Sequence, residues 1–268
     1  MKNSLITSPS EHHAAVQQLM NFRLRIWKQD NNETAGHFEE LEARDIPADA
    51  SFLEMLDIVN NRLIEQKKEP VAFESDCREG ICGTCSMVIN GTPQGPGRGA
   101  ACQVYMRSFS NGETITIEPY RAASFPIIKD LVTNRKAYDR IIQAGGFITE
   151  HTGGAADANA MLIPKRDADY AMDAAACIGC GACAAACPNS SAMLFVGAKI
   201  THLAFLPQGQ PERKERAINM VRAMDAEGFG NCSNYYACEA VCPAGISASV
   251  IATLNREYVR AELSEKLS

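Results

Sequence analysis

One cysteine-rich run constrains the fold of this 268-residue chain more than any other feature. It reads Cys177-Ile-Gly-Cys180-Gly-Ala-Cys183-Ala-Ala-Ala-Cys187-Pro188, which is the spacing C-x₂-C-x₂-C-x₃-C-P. In such a run, three thiolates hold one iron–sulfur cluster and the fourth reaches a neighbouring cluster. The chain is therefore expected to fold around two clusters that lie close together.

A second, incomplete copy of this run lies in the C-terminal part of the chain. Its cysteines occupy the first, third and fourth positions of the pattern, and Tyr235 stands at the second. If the fourth cysteine of each run binds the cluster of the other run, one cluster receives four thiolates, enough for [4Fe–4S], and the other receives three. We hypothesise a [3Fe–4S] cluster whose vacant corner is capped by Tyr235, the alternative being that Tyr235 only packs. The predicted [4Fe–4S] ligands are Cys177, Cys180, Cys183 and Cys242, and the predicted [3Fe–4S] ligands are Cys187, Cys232 and Cys238.

A third cysteine motif occupies the N-terminal half. It has the spacing C-x₄-C-x₂-C, followed after sixteen residues by a fourth cysteine. This is the plant-type [2Fe–2S] spacing. The Pro/Gly-rich stretch 91–99, between the third and fourth cysteines, is predicted to be a surface loop. The predicted [2Fe–2S] ligands are Cys77, Cys82, Cys85 and Cys102.

The three motifs account for all eleven cysteines. In a reducing compartment such cysteines indicate metal chemistry before disulfides. Structural zinc is an alternative for the four-cysteine sets, but zinc requires four ligands with tetrahedral closure and gives no reason for a three-thiolate site. No cysteine remains for a nucleophilic role, and no catalytic residue is assigned.

Charge and hydropathy argue against several other classes of protein. The formal net charge is −6 and the pI is near 5.5, without a basic cluster interleaved with aromatics, so nucleic acid is not an expected partner. Residues 1–20 contain no apolar segment of the length that a secretory signal needs, so the protein is expected to stay in the cytoplasm. Residues 174–198 carry no formal charge, but four cysteines and a proline indicate cluster binding, not a transmembrane segment.

The periodicity of the apolar residues changes midway, which predicts an α+β protein of two domains. The predicted divisions are an N-terminal extension at 1–19, a [2Fe–2S] domain at 20–125, and a helical domain around two clusters at 126–268. The first domain is predicted to be a mixed sheet crossed by one helix. Strands are predicted at 22–26, 38–46, 71–73, 86–89 and 114–117, and a helix capped by Ser51 is predicted from Leu53 to Ile64.

Helical periodicity dominates the second half. Pro126 is predicted to precede a helix over 128–144 that Gly145 and Gly146 end, followed by a loop over 147–167. Further helices are predicted over 212–226 and 248–267. The histidines lack paired ligand spacing and are assigned surface or packing roles; they are His12, His13, His37, His151 and His202.

Four motifs together resemble the iron–sulfur subunit of succinate dehydrogenase and quinol:fumarate reductase, from about Met20 to the last helix. They are CREGICGTC from Cys77, FPIIKDLV from Phe125, CIGCGACAAACP from Cys177 and CxxYxxCxxxCP from Cys232. The resemblance implies a plant-ferredoxin-like β-grasp domain followed by a helical bacterial-ferredoxin-like domain. It also implies a relay of [2Fe–2S], [4Fe–4S] and [3Fe–4S] centres between a flavoprotein subunit carrying FAD, which oxidises succinate, and a membrane cytochrome b anchor.

Two departures refine this resemblance. Sixteen residues separate Cys85 from Cys102, more than is expected for this family. Some relatives place a tryptophan and a histidine that contact quinone near the last cluster. Here the corresponding stretches read PNSSA from Pro188 and Cys232-Ser233. The sequence resembles the branch with a single di-haem cytochrome b, in which electrons pass to haem b and reach quinone indirectly. A peripheral place on the cytoplasmic face of a bacterial inner membrane is expected. The alternative role is an electron carrier of another oxidoreductase or a soluble ferredoxin.

Overall fold

The computed structural model describes residues 18–149 and 162–265. Almost all of the predicted N-terminal extension, with His12 and His13, lies outside the described residues. So do His151, most of the predicted loop over 147–167, and the last two residues of the predicted closing helix.

A mixed five-stranded sheet forms the first half of the described chain. The strands are β1 (Leu19–Lys28), β2 (His37–Pro47), β3 (Val88–Ile89), β4 (Thr92–Pro93) and β5 (Thr114–Glu118). Their order in the sheet is β2-β1-β5-β3-β4, with β1 parallel to β5 and the other neighbours antiparallel. The sequence prediction of a mixed sheet is confirmed.

One face of β1 builds the core of this half. Its even-numbered residues are buried from Met20 onward, and Leu24 and Ile26 are fully buried. They face the same core as helix α1 (Phe52–Glu65), which begins with the predicted capping residue. The Ser51 side chain accepts a hydrogen bond from the amide of Glu54, whose carboxylate accepts one from the amide of Ser51.

Two predicted strands are wrong or shortened. Residues 71–73 do not form a strand, because their backbone groups bind side chains and the amide of Leu131 in a turn, instead of a neighbouring strand. The amide and carbonyl of Val71 bind the side chain of Asn60, and the amide of Ala72 binds the carboxylate of Asp130. The strand predicted over 86–89 is limited to Val88–Ile89.

The stretch 91–99 is only partly the surface loop that its composition predicts. Residues 96–98 are exposed, but β4 lies inside the stretch and Gln94 is 1% exposed. The amide of Gln94 donates to the carbonyl of Met87, which draws the stretch against the sheet. Proline and glycine indicated turns correctly, but they carried no information about the burial of the polar residue between them.

The helix predicted over 128–144 begins eight residues late. A hairpin of β6 (Ile127–Lys129) and β7 (Val132–Thr133) comes first, followed by α2 (Lys136–Gln143). The reason is Asp130 at the turn, whose φ is 48°. Its buried carboxylate accepts hydrogen bonds from the Lys28 ammonium and from the amides of Gln29 and Ala72.

Helices form the rest of the described chain, and the predicted α+β class is confirmed. They are α3 (Lys165–Ala175), α4 (Ala182–Ala186), α5 (Met193–Ala204), α6 (Arg213–Ala226), α7 (Ala237–Ala240) and α8 (Ser249–Glu265). The helices predicted over 212–226 and, within the described residues, over 248–267 are present, whereas α3 begins inside the stretch predicted as a loop. Helix α5 packs against α3, α6 and α8.

A buried arginine organises the helical half. Arg216 on α6 is 2% exposed, and its guanidinium donates to the carbonyls of Gly145, Phe147 and Gly209 at 2.8–3.0 Å. Glu212 lies 3.0 Å away and provides the counter-charge. Because a buried cation is costly unless it is paired and hydrogen-bonded, this arrangement ties the end of α2 to α6.

The two cores exchange residues across the joint. Tyr120 and Phe125 pack in the helical core, although the sheet precedes them, and Leu131 packs in the core of the sheet. The joint is therefore an interlocked segment and not an extended linker. Across the described ranges, no helix combines the length and the hydropathy needed to cross a bilayer.

The buried pair at the joint yields a first prediction. Lys28 and Asp130 are 9% and 1% exposed, with Nζ and Oδ2 2.8 Å apart. We expect Asp130→Asn to lower the free energy of unfolding by roughly 3–5 kcal/mol, because it leaves a buried ammonium without a counter-charge. Denaturant unfolding of the purified chain measures this. The control is Glu69→Gln, which removes the exposed ion pair between Glu69 and Lys129 and should change the free energy of unfolding little. An equal loss of stability in the two variants would contradict the prediction.

A second prediction concerns acid. Burial alone would raise the pKa of Glu257, but the bidentate hydrogen bonds and charge of Arg213, with Arg260 and Arg256, hold that pKa below its usual value. The pair thus stabilises the fold above about pH 4.3 and is lost as the pH falls through the lowered pKa. The difference in unfolding free energy between the wild type and Glu257→Gln should shrink between pH 7 and pH 3. The exposed Glu215→Gln is the control; a pH-independent difference would refute the interpretation.

Candidate metal centres

The N-terminal motif brings its four thiols together. A loop between α1 and β3 carries the first three cysteines, and a short 3₁₀ turn, Ala101–Gln103, carries the fourth. The thiol of Cys77 interacts with that of Cys82, and the thiol of Cys85 interacts with those of Cys102 and Cys82. Cys85 and Cys102 are buried, whereas Cys77 and Cys82 are half-buried.

Backbone amides and burial act on these thiols in opposite directions. Hydrogen bonds from the amides of Glu79 and Ile81 lower the pKa of the Cys77 thiol to about 7. The Glu79 amide nitrogen lies 3.3 Å from the Cys77 Sγ. Burial raises the pKa of the Cys85 thiol to about 12. Burial therefore disfavours a free thiolate at Cys85, and the amide-lined loop suits a metal-bound one.

The second set joins three cysteines of the first run to the last cysteine of the chain. Cys177, Cys180, Cys183 and Cys242 line one cavity in the helical half. This is the crossed arrangement that the two runs predict. Burial raises the pKa of the Cys180 thiol to about 12 and that of the Cys183 thiol well above its ordinary value. The Ile246 amide lies 3.4 Å from the Cys242 Sγ and donates to it.

Aromatic side chains close the wall of this cavity. Tyr138 on α2 stacks on Phe195 on α5, with ring centroids 3.8 Å apart. The Tyr138 hydroxyl lies 3.4 Å from the Cys183 Sγ. The two rings thus cover one side of the thiol set, and the Tyr138 hydroxyl adds a polar contact to that of the Ile246 amide.

The third set is Cys187, Cys232 and Cys238. Burial raises the pKa of the Cys238 thiol, and the neighbouring thiols of Cys232 and Cys187 raise it further. All three are half-buried, so this set lies nearer the surface than the second. Tyr235, between Cys232 and Cys238 in the chain, is 63% exposed and is not part of the core.

Asn189 joins the two segments that supply this third set. Its side-chain amide donates to the Ser233 hydroxyl at 2.6 Å and to the Asn231 carbonyl at 2.9 Å. The approach is close enough that a Cβ on Gly230 would lie 2.1 Å from the Asn189 carbonyl oxygen. Asn189 was not among the predicted site residues, since only its position after Cys187-Pro188 marks it in the sequence.

Gln94 and Tyr120 form a buried polar link that the sequence did not reveal. Gln94 Nε2 donates to the Tyr120 hydroxyl at 2.7 Å, and Gln94 Oε1 accepts from the Ala101 amide at 2.7 Å. The Cys85 Sγ lies 4.0 Å from the same Oε1. A single side chain therefore connects the first set of thiols with an aromatic residue of the helical core.

The donor chemistry of all three sets fits iron–sulfur clusters. Every proposed ligand is a thiol, and amide donors face several of the sulfurs. Among the described residues, no group of three or more His, Cys, Asp or Glu side chains is placed to hold a single metal ion. His37 is exposed and His202 is half-buried.

Comparison with protein families matches both halves of the chain. Residues 23–140 match the 2Fe-2S iron-sulfur cluster binding domain, and residues 173–246 match the 4Fe-4S dicluster domain. These matches confirm the predicted pair of ferredoxin-like domains. They also agree with two clusters in the helical half, because the second family is a dicluster domain.

Curated relatives match almost the whole chain. The succinate dehydrogenase iron-sulfur subunit of Bacillus subtilis is 29% identical over 252 residues, which cover 90% of this chain and 94% of the relative. The fumarate reductase iron-sulfur subunit of Wolinella succinogenes is 30% identical over 244 residues, which cover 88% of this chain and 96% of the relative.

A solved structure shares the fold. A chain of the Mycobacterium smegmatis Sdh1 complex in the apo form superposes with a TM-score of 0.66 at 22% identity, covering 91% of this chain and 97% of that one. Together with the relatives, the cysteine motifs and the arrangement of the two halves, this leads to one conclusion. The chain belongs to the family of iron–sulfur subunits of succinate dehydrogenase and fumarate reductase.

Proposed function

We propose that this chain is the electron-transfer subunit of a succinate:quinone oxidoreductase. It passes single electrons between the FAD of a flavoprotein subunit and the haem or quinone of a membrane anchor, and the chemistry at succinate resides on the partner. The observation that carries the proposal is that eleven cysteines form three separate thiol sets in one chain of this family. Iron–sulfur clusters bound at such sets carry one electron at a time. They can therefore pass on singly the two electrons that a reduced flavin holds.

The proposed ligands follow the three thiol sets. The domains that hold them are proposed at 20–125 and 126–268. A [2Fe–2S] cluster is assigned to Cys77, Cys82, Cys85 and Cys102, a [4Fe–4S] cluster to Cys177, Cys180, Cys183 and Cys242, and a [3Fe–4S] cluster to Cys187, Cys232 and Cys238.

The surface beside the third thiol set is proposed to face the membrane anchor. Tyr235 and Tyr236 are 63% and 60% exposed there, and the side chains of Asn189 and Ser233 bond each other. Because these two side chains bond each other, fewer of their donors and acceptors are free to bind quinone at the positions where some relatives contact it. This supports a di-haem cytochrome b anchor that accepts the electron directly. The subunit is placed peripherally, on the cytoplasmic face of the inner membrane.

Purification of the intact complex tests the proposal. A tag on this chain should bring down a flavoprotein with FAD and a haem-containing membrane protein, and the preparation should contain iron and acid-labile sulfide. Succinate should reduce the clusters in it. A chain that purifies alone would favour a soluble carrier, and a colourless zinc protein would refute the cluster assignment.

The [3Fe–4S] assignment yields a third prediction. We expect Tyr235→Cys to convert this cluster to [4Fe–4S], because the thiol restores the ligand that the first run has at the second position. Paramagnetic resonance of the oxidised complex should then lose the [3Fe–4S] signal. Tyr236→Cys places a thiol one residue away on the same exposed segment and is the matched control. An unchanged [3Fe–4S] signal in Tyr235→Cys would show that residue 235 does not lie at the vacant corner of the cluster. A wild-type complex without this signal would contradict the [3Fe–4S] assignment.

A fourth prediction uses the hydroxyl next to Cys183. We expect Tyr138→Phe to lower the midpoint potential of the [4Fe–4S] cluster, because a hydrogen bond to a ligating sulfur stabilises the more negative, reduced state. Redox titration monitored by paramagnetic resonance measures it. Tyr170→Phe is the control, since its hydroxyl lies 3.1 Å from Thr253 on α8. An unchanged potential in Tyr138→Phe would show that the hydroxyl does not act on the cluster.

A further inference from the structure

The loops that carry the first two thiol sets touch each other. Gly83 follows Cys82, and a Cβ on Gly83 would lie 2.4 Å from the Ile178 carbonyl oxygen and 3.1 Å from the Cys180 Cα. The Gly83 φ is 72°, a conformation that glycine adopts most easily. From the same loop, the Ser86 hydroxyl donates to the Cys180 carbonyl at 3.2 Å. We call this region, residues 82–86 against residues 178–180, the loop contact.

A single guanidinium bridges the loop contact. Arg135 Nη1 donates to the Gly83 carbonyl at 2.5 Å and to the Gly179 carbonyl at 3.2 Å. Gly83 is next to Cys82 in the chain, and Gly179 is next to Cys180. Arg135 therefore holds one backbone position beside a proposed [2Fe–2S] ligand and one beside a proposed [4Fe–4S] ligand.

The backbone around Arg135 is itself held from both halves of the molecule. Arg135 is half-buried and immediately precedes α2, and the β6–β7 hairpin before it is attached to the sheet through Asp130. Three residues after it, Tyr138 lies in the helical core against Cys183. An arginine on such a rigid segment donates with little loss of side-chain freedom, and the two N–H groups of its Nη1 can serve two carbonyls at once.

We propose that Arg135 is a positioning residue that fixes the separation of the [2Fe–2S] and [4Fe–4S] clusters and thereby the rate of electron transfer between them. The proposal rests on the proposed function. One electron leaves the site of Cys77, Cys82, Cys85 and Cys102, which is oxidised by one electron, and enters the site of Cys177, which is reduced by one. A reduced flavin supplies it and a haem or quinone accepts it. The step breaks no bond and moves no proton.

The test compares Arg135→Met with Arg135→Lys in the purified complex. Iron and sulfide content and the individual cluster spectra are measured first, so that a failure of the cluster assignment is recognised separately. The readout is the magnetic coupling between the two reduced clusters, which falls steeply as their separation grows. We expect Arg135→Met to weaken this coupling and to slow oxidation of the reduced [2Fe–2S] cluster after flash or rapid mixing. Arg135→Lys, which keeps the charge but replaces the fixed Nη1 by a freely rotating ammonium on a shorter side chain, should give an intermediate loss.

Lys136→Met is the matched control, because it removes a neighbouring positive charge from the same cleft without a side-chain bond to either loop carbonyl. It should retain wild-type coupling, even if the potentials shift. Ser86→Ala provides a second, independent perturbation of the loop contact and should weaken the coupling in the same direction. Wild-type coupling in Arg135→Met with full cluster content would overturn the proposal, as would an equal loss in Lys136→Met.

Discussion

The structure depends on one constraint, which is that cysteine thiols from separate segments of the chain must be buried side by side. Burial raises the pKa of the thiols of Cys85, Cys180 and Cys183, so an isolated thiolate at these positions would be costly. The chain meets this constraint by bringing together cysteines that are far apart in sequence, and it directs amides and hydroxyls at their sulfurs. The helices and turns of both halves are arranged around these thiol sets.

The joint between the halves holds the sheet half and the helical half, and with them the thiol sets, in fixed relative positions. Asp130 ties the β6–β7 hairpin to Lys28 and to two amides of the sheet half, and Tyr120 and Phe125 reach into the helical core. The loop contact then places Gly83 directly against residues 178–180. Since electrons pass between redox centres only over short distances, a rigid joint is as relevant to the proposed function as the ligands themselves.

The candidate site was predicted mainly from the spacing of the cysteines, and the fold was predicted mainly from the periodicity of the apolar residues. The alternation in β1 and the capping box of α1 are local features, so they were predictable. The hairpin before α2 was missed because Asp130 bonds with Lys28 and Ala72, which are distant in sequence. The strand predicted over 71–73 was wrong for the same reason, since the partners of these residues are side chains and a turn amide that are distant in sequence. Gln94 was hidden in a stretch whose composition indicates a loop.

The amino-acid sequence by itself determined how the eleven cysteines divide into three motifs, because ligand spacing is a local property of the chain. It also predicted that the last cysteine of the chain lies beside the first three of the Cys177 run, and these four thiols line one cavity. Tertiary structure alone decided how closely the first two thiol sets approach and which side chains, such as Arg135, Gln94 and Tyr138, stand between or beside them. Those contacts join residues from separate elements, and only packing of the whole chain brings such residues within hydrogen-bonding distance.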